Sequence, residues 1–110
     1  MTTSIAIVRV EAPEGATVKS ITETGRRNLR KAYGSAAATG PPVDLRLDGE
    51  PALQLDYTAD EARIRQVGAL RADHFYLLSF TAGRSAFKRR VADFDALLRS
   101  WRWQSGDDAQ

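Results

Sequence analysis

VDLRLDGEPALQLDYTADEARIRQVGALRADHFYLLSFTA, residues Val43 to Ala82, reads as four consecutive strands joined by short polar turns. Val43 to Asp48 alternates apolar and charged residues, the period of a strand with one buried and one wet face. Asp48-Gly49 then marks a turn, since Gly accepts positive φ and Asp bonds its own backbone. Leu53, Leu55 and Tyr57 alternate with Gln54, Asp56 and Thr58, and Asp60-Glu61 makes a second break. Ala62 to Leu70 is the third strand, Ala72-Asp73 the third turn, and His74 to Ala82 the most apolar strand. A run apolar on both sides suits a strand covered on both faces.

Aligning these alternations puts Leu45, Leu47, Leu53, Leu55, Tyr57, Ile64, Tyr76, Leu78 and Phe80 on one face, which a helix must cover. The other face carries Asp44, Arg46, Gln54, Asp56, Arg63 and Arg65, mixed with Val67, Phe75 and Leu77. Those three apolar residues need a second cover or a partner, so they form a candidate interaction surface. A one-residue slip would exchange the faces.

Upstream, Ser4 to Val10 is a β-branched strand that ends at Glu11-Ala12-Pro13-Glu14-Gly15. Thr17 is placed to cap the helix that follows, whose face is Val18, Ile21, Gly25, Leu29, Ala32 and Tyr33. Gly25 costs about 1 kcal/mol in a helix interior relative to Ala, and its use there is close approach to the sheet. Arg26, Arg27, Arg30 and Lys31 fall in the last turns, where cations complement the negative helix end. The same four residues are the candidate anion-binding set. Gly34 stops the helix, and Gly34 to Pro42 reads as a small-residue connector that lacks the Lys-Ser/Thr ending of a phosphate loop.

Downstream, Ser85 is the expected cap of a closing helix with the stripe Phe87, Val91, Phe94, Leu97, Leu98 and Trp101. Trp103 and the polar tail, 105–110, are expected to fray. The expected organisation is one α+β domain over 1–104 with element order β-α-β-β-β-β-α.

The totals narrow the chemistry. The chain has 110 residues and no cysteine, which excludes thiolate chemistry and disulfides. Sixteen basic against 14 acidic residues are nearly balanced, unlike a nucleic-acid binder with a basic stripe. No apolar run is long enough to span a bilayer, and no signal peptide is apparent. The chain as it stands reads as cytoplasmic, or as envelope-associated if a targeting segment lies upstream. Ala- and Arg-rich usage points to a GC-rich bacterial genome. His74 is the sole histidine, and no nucleophile elbow, dinucleotide fingerprint or zinc ligand set is present. No metal, no cofactor and no enzymatic activity are expected.

The second half of the chain resembles the PsbP-like superfamily. The resemblance rests on Gly49-Glu50-Pro51-Ala52 with Leu55-Asp56-Tyr57, on Arg65-Gln66-Val67, and on the strand from His74 to Ala82. Phe87, Phe94, Leu97, Leu98, Ser100 and Trp101 resemble the closing helix with its Ser-aromatic end. That group includes the extrinsic photosystem protein, a Ran-binding nuclear transport factor, and DcrB-type and LpqN-type bacterial envelope proteins. The resemblance implies an α/β/α sandwich around an antiparallel sheet, no catalytic residues, and a binding or accessory role. Family members commonly begin with an extra hairpin before the equivalent of Ser4, which this chain lacks. The sheet is then shorter, or its edge is completed by another chain. An open edge is a template for strand pairing, so the expected partner is a protein, with a homodimer as one form. Two other readings stand beside this binding domain: a small-molecule or anion-binding domain using the basic helix, and an enzyme with carboxylates in an unrecognised pocket.

Overall fold

The computed structural model describes residues 3–34 and 37–103. Its elements are β1 (Ser4–Glu11), α1 (Val18–Ala32), β2 (Ala37–Ala38), β3 (Val43–Leu47), β4 (Glu50–Ala59), β5 (Ala62–Arg71), β6 (His74–Gly83) and α2 (Arg84–Ser100). All the strands pair antiparallel in one sheet of order β1-β6-β5-β4-β2, and β3 also lies along β4. The two helices pack on opposite faces of this sheet, which makes the expected α/β/α sandwich. The small-residue connector contributes the short strand β2, which pairs with Tyr57 and Thr58. Ser35 and Ala36 lie outside the described residues, as do residues 104–110, which include the tail 105–110 that was expected to fray.

The turns decide which residues meet which helix. Leu47 pairs with Glu50, Ala59 with Ala62, and Arg71 with His74, so each hairpin turns on two residues. A two-residue turn pairs odd positions with even ones. Neighbouring strands therefore carry their odd residues on opposite faces of the sheet. The single face expected from the sequence is in fact two. Leu47, Leu78 and Phe80 are buried toward α2 with Val67, Phe87, Phe94 and Leu98, and Leu45 and Tyr76 pack on that cluster. Leu55, Tyr57 and Ile64 pack with Leu29 of α1. Asp48 and Gly49 both take positive φ, 47° and 88°, the conformation an Asp-Gly hairpin turn is suited to.

Thr17 caps α1 as expected: its hydroxyl accepts from the Ser20 backbone N–H, and Ser20 Oγ accepts from the Thr17 N–H. Gly25 and Gly68 bring α1 close to the sheet. A Cβ on Gly25 would lie 2.9 Å from Gln66 Cδ, and one on Gly68 would lie 3.0 Å from Ile21 Cγ2. The cap of α2 differs from expectation. The helix begins at Arg84 behind Gly83, with no side-chain cap, so Ser85 falls within the first turn. Trp103 is not frayed. Its backbone N–H donates to Asp48 Oδ2 at 2.9 Å, and its ring N–H donates to the Leu47 carbonyl at 2.7 Å.

Candidate interaction surface

The structure overturns the proposed contact set. Val67 is 0% exposed, Phe75 4% and Leu77 6%. Val67 sits under α2, whereas Phe75 and Leu77 sit with Ile21 of α1. The second face has its cover within the chain, because α1 occupies the place the sequence reading left for a partner. These three residues are core.

Arg26 lies 3.8 Å from Glu23, and its charge acts on the buried Tyr57 phenol. Arg27, Arg30 and Lys31 stay exposed near the C-terminal end of α1, where cations offset the helix dipole.

The strongest polar cluster is a staple across three elements. Arg65 of β5 donates twice to Asp56 of β4, at 2.9 Å from both Nε and Nη2. Its Nη1 donates to Asp95 of α2 at 3.0 Å. The Asp56 hydrogen bond, chiefly, holds the Arg65 guanidinium above its ordinary pKa; burial opposes this and Asp95 adds to it. Both carboxylates are thus held by one guanidinium, which ties β4, β5 and α2 together. Among the described residues, no group of three His, Asp or Glu side chains is placed to hold a metal ion.

A second cluster closes the far end of α2. Tyr76 and Trp103 meet edge to face at 4.7 Å, Trp101 and Trp103 at 5.5 Å. Arg71 lies over the Trp103 ring at 4.9 Å and Arg9 over Tyr76 at 5.9 Å. These contacts fasten the segment that follows α2, residues 101–103, to the sheet.

What remains accessible is the β1 edge. β1 pairs with β6 along Ser4 to Glu11, and no described strand lies on its other side. Ile5 is 48% exposed, Ile7 51%, Val8 46% and Val10 41%. Among the described residues, only one further large apolar side chain is exposed, Val43. Opposite Phe80 and Leu78, Ile5 and Ile7 point to the α2 side; opposite Leu77 and Phe75, Val8 and Val10 point to the α1 side. The opposite edge of the sheet is blunted. There β4 is covered by β3 over its first half and β2 over its second. Both covering strands are short, and β3 carries Asp44 and Arg46. Natural edges are protected by such short, charged strands. The long β-branched edge of β1 lacks that protection, save for Arg9 and Glu11.

The fold recurs among solved structures. A Pseudomonas aeruginosa protein of unknown function, PA94, matches with a TM-score of 0.69 at 14% identity, over 94% of this chain and 85% of that one. The cyanobacterial PsbP (CyanoP) of Synechocystis sp. PCC 6803 matches with a TM-score of 0.69 at 11% identity, over 91% of this chain and 66% of its own. The chain thus spans about two thirds of the length of that PsbP. The fold is PsbP-like, as the strand and helix motifs implied. No family model matches the sequence, and no curated protein matches it.

Proposed function

We propose that this chain is a non-catalytic binding or adaptor domain that engages a protein partner along the outer edge of β1. One observation carries the reading: an eight-residue edge strand whose outer side faces no described strand and which bears four exposed β-branched side chains. Unpaired N–H and C=O groups on an edge offer hydrogen bonds to an added strand, and alternate side chains supply selectivity. The near balance of 16 basic and 14 acidic residues supports a protein over a nucleic acid as partner. The carboxylates of the polar cluster are spent on Arg65, which supports a role without chemistry.

The test is partner capture by the intact chain and by Ile7→Lys. Ile7 is half exposed, so the variant should fold like the parent. The expected result is loss of captured proteins by a variant with the parent's circular dichroism spectrum. Equal capture by both proteins would remove the edge as the working surface.

A further inference from the structure

We infer that the occupant of the β1 edge is a second copy of this chain, paired antiparallel about a two-fold axis at Ile7. This rests on the edge-binding reading and names its partner. With the two-fold axis perpendicular to the sheet, residues facing each other across the new ladder share a face. The register must therefore centre on a residue. Centring on Val10 would face Arg9 with the partner's Glu11 but leave Ser4 to Val8 unpaired. Only Ile7 and Val8 keep nearly all of β1 in the ladder, and the charges choose between them. Centring on Arg9 sets two guanidiniums directly opposite, and centring on Val8 sets them on a diagonal; like charges so placed destabilise a sheet.

Centring on Ile7 places Arg9 opposite the partner's Ile5. The two arginines are then four residues apart along the strand, about 14 Å at about 3.4 Å per residue. That exceeds the screening length of about 8 Å at physiological salt. On the α2 side, Ile5 and Ile7 then run on into the partner's Ile7 and Ile5, an apolar row without interruption. On the α1 side, Val8 meets the partner's Ala6.

A second observation favours the same register. Ile5 lines a hollow of about 240 Å³ together with Thr3, Ser4, Phe80, Arg90 and Asp93. Asp93 is ion-paired with Arg90 through Oδ2 at 3.0 Å, and no described residue bonds its Oδ1. Standing opposite Ile5, the partner's Arg9 is brought to this hollow and to Asp93. The two-fold axis makes that contact twice.

The chain contains no cysteine, so one introduced thiol reports the register directly. At the centre of the ladder, Cα atoms face each other at about 4.5–5.5 Å. That lies within the disulfide range of about 4.4–6.8 Å. Diagonal positions lie at about 7–8 Å and fall outside it. Under mild oxidation, Ile7→Cys should form a covalent dimer and Val8→Cys should not. Light scattering over a concentration series should approach twice 12.1 kDa for the parent chain. Arg9→Glu and Asp93→Arg should each weaken the dimer about fivefold, and the double variant should recover it.

A monomer at every concentration overturns the inference. So does a dimer in which Val8→Cys links in place of Ile7→Cys, or in which neither links. The two readings fail separately. A monomer that still loses its captured partner on Ile7→Lys leaves the edge-binding reading intact. A dimer abolished by Ile7→Lys with capture unchanged keeps this inference and removes the edge as the surface for any other partner.

Discussion

Tyr57 and Gly25 show how one residue can reverse an ordinary rule. Tyr57 is 1% exposed, and its hydroxyl finds no partner among the described residues. A buried unpaired hydroxyl costs about 1–3 kcal/mol. Tyr57→Phe should therefore raise stability, by about 1 kcal/mol in denaturant melts. Burial pushes the phenol above its ordinary pKa, with Arg26 opposing and Glu23 adding. A folded pKa above the unfolded one gives stability that is complete below the unfolded value, near pH 10, and lost as pH rises through the folded one. The parent should thus lose stability above about pH 10 more steeply than Tyr57→Phe. Equal slopes would mean that the phenol meets solvent. Gly25→Ala should destabilise, although Gly to Ala in a helix interior normally gains about 1 kcal/mol. The added methyl would strike Gln66, which is buried and donates to Ser79 Oγ at 3.2 Å. A stability gain in the same melts would show that Gln66 yields freely.

At the scale of elements, the two helix starts make a paired prediction. α1 has a reciprocal cap between Thr17 and Ser20, so Thr17→Ala should cost about 1 kcal/mol. α2 starts behind Gly83 without a side-chain cap, so Ser85→Ala should stay within about 0.5 kcal/mol of the parent. Chemical denaturation of both variants checks this, and a large Ser85 effect would move the start of α2. The four strands of the meander, both helices and the Thr17 cap were legible because each rests on a local period or a local bond. The division of apolar residues between the two faces was not. It turns on three two-residue hairpins, each of which shifts the face by one position. Val67 changed face in this way, whereas Phe75 and Leu77 are core because α1 covers the second face.

For the molecule as a whole, strand order is the property that local patterns carry least. Ser4 to Val10 was legible as a strand from its β-branched residues, but nothing in those residues states whether a strand lies inside a sheet or at its rim. Among the described strands, β1 is the last in the sheet. The pairing of β1 with β6 and the exposure of Ile5, Ile7, Val8 and Val10 give that edge its residues. Trp103 was missed for a similar reason. Its anchors, Asp48 and the Leu47 carbonyl, stand 55 and 56 positions earlier, and no window along the chain joins them.

The seating of Trp103 has an optical consequence. The chain has two tryptophans, Trp101 and Trp103, and they stand 5.5 Å apart at one corner of the molecule. Indole emission therefore watches that corner alone, while far-ultraviolet circular dichroism averages over the sheet and both helices. The two signals should coincide if this corner releases with the rest of the fold. A fluorescence transition at lower denaturant would time the release of the corner before the sheet gives way.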